Sequence, residues 1–168
     1  WKCMDRYFQT EEMPDFGFSP DAEFPIINGE KGNITEYLHF GGQNTGQAHL
    51  HSFTGGLREN MVPESATAVV SGQLASLLEA FANEHQLRYE VATEDDGKFK
   101  ITIIGKSAHG STPEAGFNGA TYLALFLNQF DFGGDAKAYL QVSASLLHED
   151  FAGEKLGIAH TDEKMGAL

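Results

Sequence analysis

Residues 88–104, RYEVATEDDGKFKITII, restrict the fold more than any other stretch of the chain. Tyr89, Val91 and Thr93 alternate along one arm and Phe99, Ile101 and Ile103 along the other. Between them sits Asp96-Gly97, a pair suited to a tight hairpin turn because both central positions need positive φ. A hairpin with one apolar face cannot stand alone in water and needs a second layer over that face. The flanking segments supply it. Leu74, Leu77, Leu78 and Phe81 fall at i, i+3, i+4 and i+7 behind Ser71, which can cap a helix. Ala120, Leu123, Ala124 and Leu127 form a second helical stripe. A third helix is predicted over 136–147, with Tyr139, Val142 and Leu146 inward. Upstream, 34–40, 48–54 and 65–71 read as strands, and a short apolar strand is expected at 24–27 among turn formers. The order β-β-β-α-β-β-α-α predicts an α+β fold, a ferredoxin-like antiparallel sheet with helices packed on one face.

Composition narrows the partners. The 168 residues carry a formal net charge of -13, with 41% hydrophobic and 21% charged residues. Such a chain can bury a core, and its excess of carboxylates repels phosphate, which argues against nucleic acid. A single cysteine, Cys3, excludes an intrachain disulfide and fits a reducing, cytoplasmic setting. The longest apolar run, 122–127, is far too short to span a bilayer, so no membrane partner is expected. No fixed-period repeat is present.

Several short patterns carry chemistry. Gly105-Lys106-Ser107 after an apolar strand resembles the end of a phosphate loop, but Lys100 stands where that motif needs its first glycine. A strand ending in a turn is the better account. His49 and His51, two apart on a strand, project from one face as metal ligands can, yet no third ligand lies at a recognisable spacing, so they read as polar surface. His148-Glu149-Asp150 reads as a solvated helix terminus, and Glu11-Glu12 as solvated loop carboxylates. Asp21, in the proline-flanked SPDAEFP turn, suits a hard oxygen-type metal ligand and equally a turn residue. Asn60, in the loop LRENMVPESA, offers an amide donor, and His109, at the exit of the last strand, offers an imidazole. Taken singly, each has a plain structural explanation.

Three segments taken together point further. GKSAHGSTPEAGFNGA, GGLRENMVPESATAVVSG and CMDRYFQTEEMPDFGFSPDAEFPIINGEKG resemble the lid, or dimerisation, domain and preceding catalytic tail of the dinuclear-zinc metallopeptidases that include carboxypeptidase G, aminoacylase and carnosinase. The third is most similar to the bacterial PepV-like dipeptidases. The resemblance covers residues 1 to about 130. It implies that 1–31 end a catalytic half-domain and that 32–168 are an incomplete lid. It further implies that Asp21 ligates zinc, that His109 stabilises the oxyanion of a tetrahedral intermediate, and that Asn60 contacts a bound dipeptide. Two zinc ions would serve the complete site, but the remaining ligands and the general-base glutamate have no counterparts in these residues. The chain is therefore expected to depend on the remainder of a catalytic domain and to hydrolyse nothing alone. Two alternatives accompany this expectation: an amidohydrolase of N-acyl amino acids using the same site, and a non-catalytic dimerisation or binding module, which would have no need of Asp21 and its flanks.

Overall fold

A computed structural model describes residues 2–17, 27 and 29–167. The chain divides into two compact units, Trp1–Gly32 and Asn33–Leu168. In the first unit the described residues form one short helix, α1 (Lys2–Tyr7), closed by the Phe8 amide donating to the Met4 carbonyl and the Glu11 amide to that of Tyr7. Asp21 and all but the last residue of the strand expected at 24–27 lie outside the described residues.

The second unit is built on a four-stranded antiparallel sheet of β1 (His49–Gly55), β2 (Ser65–Ser71), β3 (Arg88–Thr93) and β4 (Lys98–Ile104), in the order β1-β2-β4-β3. The register places Ala66 opposite Ile103 and Ala68 opposite Ile101, and these four side chains are buried on one face. The intervening positions pair Thr67 with Thr102, whose hydroxyls hydrogen-bond at 2.9 Å, on the opposite face. The sheet is therefore apolar towards helices on one side and polar on the other. The predicted hairpin is present, and Asp96 and Gly97 turn it at φ +59° and +70°.

Helices α2 (Ala75–Glu84), α3 (Gly119–Leu127) and α4 (Gly134–Val142) complete the unit. Helix α3 packs against β1, β2, β4 and α4. Its Leu123, Ala124, Phe126 and Leu127 are fully buried, which explains a sequence apolar on almost every side. Asn118 caps it, its Oδ1 accepting from the Ala120 and Thr121 amides at 3.0 and 3.1 Å.

Four expectations need correction. The strand predicted at 34–40 is absent: those residues adopt no regular element, and Ile34 and Leu38 are 86% and 67% exposed. Gly41-Gly42 break the segment, and the chain beyond them is held by α4, the Gln43 amide donating to Asp135 Oδ2 at 3.1 Å and the Ala136 amide to the Gln43 carbonyl at 3.2 Å. Ser71 ends β2 instead of capping α2, whose N-cap position is Leu74. The buried stripe of α2 is Leu74, Leu78, Phe81 and Ala82, leaving Leu77 52% exposed. The last helix is rotated from its predicted facing: Ala136, Leu140, Ser143 and Ala144 are buried, and residues 143–147 widen into a π-turn. Sequence reading also missed the small hairpin of β5 (Thr161–Asp162) and β6 (Gly166–Ala167).

The rotated facing of α2 is directly testable. Leu78→Ala opens a cavity between α2 and the sheet and is expected to cost about 2–5 kcal/mol, whereas Leu77→Ala should stay within about 0.5 kcal/mol of the parent. Urea denaturation midpoints measure both.

Candidate functional site: the corner after β4

The corner is set by close backbone approach. The Gly105 amide donates to the Glu64 carbonyl at 2.6 Å, and a Cβ on Gly105 would overlap the Phe117 carbonyl oxygen, so only glycine fits. Lys106 and Phe117 then exchange both backbone hydrogen bonds, at 2.9 and 2.8 Å, and close the base of the loop between them. This is the strand-ending turn expected of Gly105-Lys106-Ser107 in place of a phosphate loop.

Past this base the chain runs antiparallel to the segment that enters β2. The Val62 amide donates to the Ala108 carbonyl at 2.9 Å, and the Gly110 amide to the Asn60 carbonyl at 2.7 Å. Met61 lies opposite His109 in this short pairing. A side chain at position 110 would press on the Asn60 backbone, since its Cβ would lie 3.1 Å from the Asn60 carbonyl oxygen. Asn60 and His109, far apart in sequence, thereby lie on two backbone segments that pair with each other, Asn60 next to the residue that faces His109.

Both side chains are exposed. The Asn60 amide makes no side-chain hydrogen bond to another described residue. The His109 ring is fixed: its Nδ1 accepts the Ser111 backbone amide at 3.1 Å and lies 2.8 Å from Ser111 Oγ. A ring nitrogen that accepts an N–H carries no proton, so neutral His109 keeps its proton on Nε2, an assignment made from the hydrogen-bond network. The corner thus presents an imidazole N–H, a donor suited to an oxygen on which negative charge develops, while the exposed Asn60 amide lies one position from Met61, the residue that faces His109. Tyr37 braces the same turn by donating its hydroxyl to Glu59, and this hydrogen bond raises the Tyr37 phenol above its ordinary range.

Behind the corner lies a network that sequence reading took for a solvated terminus. His148 comes directly after the π-turn and is half-buried, its Nδ1 3.1 Å from Thr121 Oγ1 and its ring edge-on to Tyr122 at 4.4 Å. Tyr122 stacks on Phe117 at 4.3 Å and donates its hydroxyl to Glu149 Oε1 at 2.7 Å. Burial, reinforced by that carboxylate, pushes the Tyr122 phenol up to about 12. Gly110, Phe117, Tyr122 and Glu149 all line a cavity of about 280 Å³ that connects this network to the corner. The sequence signal was the aromatic spacing of Phe117 and Tyr122 against a histidine at a helix end, which periodicity alone does not reveal.

The other candidates are not drawn together. The His49 and His51 rings stack at 6.4 Å on β1, and His51 Nε2 lies 3.1 Å from Ser71 Oγ. Glu11 and Glu12 are exposed. Among the described residues no group of three or more His, Cys, Asp or Glu is placed to hold a metal ion. The described residues therefore do not fit a metal centre, and the chemistry they support is hydrogen-bond donation. No helix among them is long and apolar enough to cross a membrane.

Comparison with known proteins gives a consistent direction. The chain is 41% identical over 173 residues to the Beta-Ala-Xaa dipeptidase of Lactobacillus delbrueckii subsp. lactis, an alignment covering all of this chain and 37% of that protein. Proteins of Staphylococcus epidermidis and Staphylococcus haemolyticus whose names contain the word dipeptidase are 40% and 39% identical, over 96% of this chain and 36% of their own length. The chain thus spans little more than a third of the relatives it matches. No family model matches it.

The His148 network makes stability depend on pH. Desolvation holds the His148 pKa below its usual 6.5, with Lys155 and His85 acting in the same direction and Glu149 opposing them. Protonation is therefore easier in the unfolded chain. The contribution is present above pH 6.5 and is lost as pH falls from there towards the lower folded value. Thermal melting between mildly alkaline and mildly acidic pH should show this loss, and His148→Gln should flatten the slope.

Proposed function

We propose that this chain is the lid segment of a dipeptidase, in which His109 donates to the carbonyl oxygen of the scissile peptide bond and Asn60 contacts the bound dipeptide. One observation carries this reading: the backbone pairing of 60–62 with 108–110 holds an exposed imidazole whose proton is fixed on Nε2. The similarity to dipeptidases over the whole chain supports the substrate class. On this reading residues 1–31 finish a catalytic half-domain and 32–168 form an incomplete lid. The strand order β1-β2-β4-β3, with the run β2-α2-β3-β4-α3, supports the ferredoxin-like description of that lid.

When peptide hydrolysis converts a planar carbonyl into a tetrahedral centre, its oxygen gains negative charge. The Nε2–H of His109 donates to that oxygen more strongly in the transition state than in the ground state, which lowers the barrier, while the Asn60 amide contacts the bound dipeptide. The paired backbone and Ser111 keep that ring from reorganising as charge develops. The two zinc ions, Asp21 as one of their ligands, the general base and a cytoplasmic location belong to this proposal as well. They concern a longer polypeptide in which the corner closes over the reacting bond.

The test uses an enzyme of the relatives' length that contains this segment. His109→Ala should lower kcat about 10²–10³-fold with metal content unchanged, and Asn60→Ala should lower kcat/KM. An unchanged kcat for His109→Ala removes the role. Faster turnover of N-acyl amino acids than of dipeptides would favour the amidohydrolase alternative, and no hydrolysis of either would favour a non-catalytic module.

A further inference from the structure

A second concavity lies on the other side of the segment that enters β2. It measures about 600 Å³ and is lined by Thr54, Arg58, Glu64, Ser65, Thr67 and Ser107, among others. Thr54 and Thr67 are cross-strand partners on the helix-free face of the sheet, so the floor is a hydroxyl surface. The wall is held in place: the Glu64 carbonyl takes the Gly105 amide at 2.6 Å, Ser107 Oγ donates to the Val62 carbonyl at 3.3 Å, and the Arg58 carbonyl takes the Met61 amide at 3.3 Å.

The charges in this cleft are unspent. Arg58 and Glu64 make no ion pair with each other or with any other described residue, although the chain carries 24 acidic residues to pair with an arginine. Leu57, beside Arg58, is 100% exposed and also lines the cleft. A guanidinium and a carboxylate kept apart over a hydroxyl floor, with an apolar side chain at hand, match a small molecule bearing a carboxylate, an ammonium and an apolar side chain. We infer that this cleft binds a zwitterionic amino acid or dipeptide, Arg58 taking its carboxylate and Glu64 its ammonium group. The inference rests on the dipeptidase reading only for its choice of ligand, and its test reads binding without turnover.

The experiment follows backbone amide signals of Thr54, Gly55, Gly56 and Ser107 by NMR while the full chain is titrated with glycyl-leucine, N-acetylglycyl-leucine and glycyl-leucinamide. Glycyl-leucine should give saturable shifts at these positions, and each blocked analogue should bind about tenfold or more weakly, the usual loss when a charged hydrogen-bond partner is removed. Arg58→Gln should erase the preference over the amide, and Glu64→Gln the preference over the acetylated peptide, both variants keeping the parent spectrum elsewhere. Absence of saturable shifts, or equal affinity for all three probes, overturns the inference. Either result is independent of the kcat of His109→Ala, so the two readings fail separately.

Discussion

The feature on which the second unit's chemistry depends is a backbone contact that tolerates no side chain. At Gly105 the exit of β4 lies so close to Phe117 that a methyl group would overlap its carbonyl oxygen, and this closeness allows Lys106 and Phe117 to pair. The same exit strand continues alongside 60–62, so the entry to β2, the exit of β4 and the start of α3 become one stiff junction. Each hydrogen bond there contributes only about 1 kcal/mol net. Their joint effect is geometric: they remove the freedom of the loop that bears His109. A donor held this way loses little entropy when it meets a ligand, which is the condition for electrostatic stabilisation of a transition state.

The two faces of the junction differ in kind. On the side of the π-turn, Tyr122, His148 and Glu149 form a partly buried polar network whose groups are partnered, and burial displaces the titration of Tyr122 and His148. That network makes the stability of the unit sensitive to acid. On the sheet side, Arg58 and Glu64 make no ion pair with a described residue and stand over hydroxyls. Partnered charge stabilises a fold, whereas exposed and unpaired charge of both signs contributes little to it and is available to a ligand.

The elements legible in the sequence are those decided by local forces. The Asp96-Gly97 turn and the alternation around it were legible because hairpin twist and side-chain period are properties of adjacent residues, and the α3 stripe behind Asn118 was legible for the same reason. The segment 34–40 has strand-like spacing but pairs with no strand among the described residues, and pairing is a tertiary fact. Leu77 fitted its helical stripe, yet α2 meets the sheet along Leu74, Leu78 and Phe81, and the facing of a helix is decided by its neighbours. Of the site residues, Asn60 and His109 were identified through resemblance, while their adjacency required the non-local pairing of 60–62 with 108–110. Asp21 lies outside the described residues. The His148 network went unrecognised because a histidine at a helix end has the same local signature whether it is solvated or packed on a tyrosine.

The exposure of Asn60 and His109 separates function from stability. Neither side chain belongs to the core that Ile101, Leu123 and Phe126 build, and the hydrogen bonds that fix the corner run through backbone atoms, with Ser111 orienting the imidazole. Removing either side chain leaves no cavity and strands no buried polar group, the two principal causes of large destabilisation. The fold therefore gains almost nothing from these side chains, while Ser111 holds the His109 ring in a defined place. A ring whose tautomer is set by a neighbouring amide, at a position where solvent would hydrate either form equally well, is organised for an interaction outside the core. That asymmetry between positional cost and structural benefit is the physical argument for a binding or catalytic role at this corner.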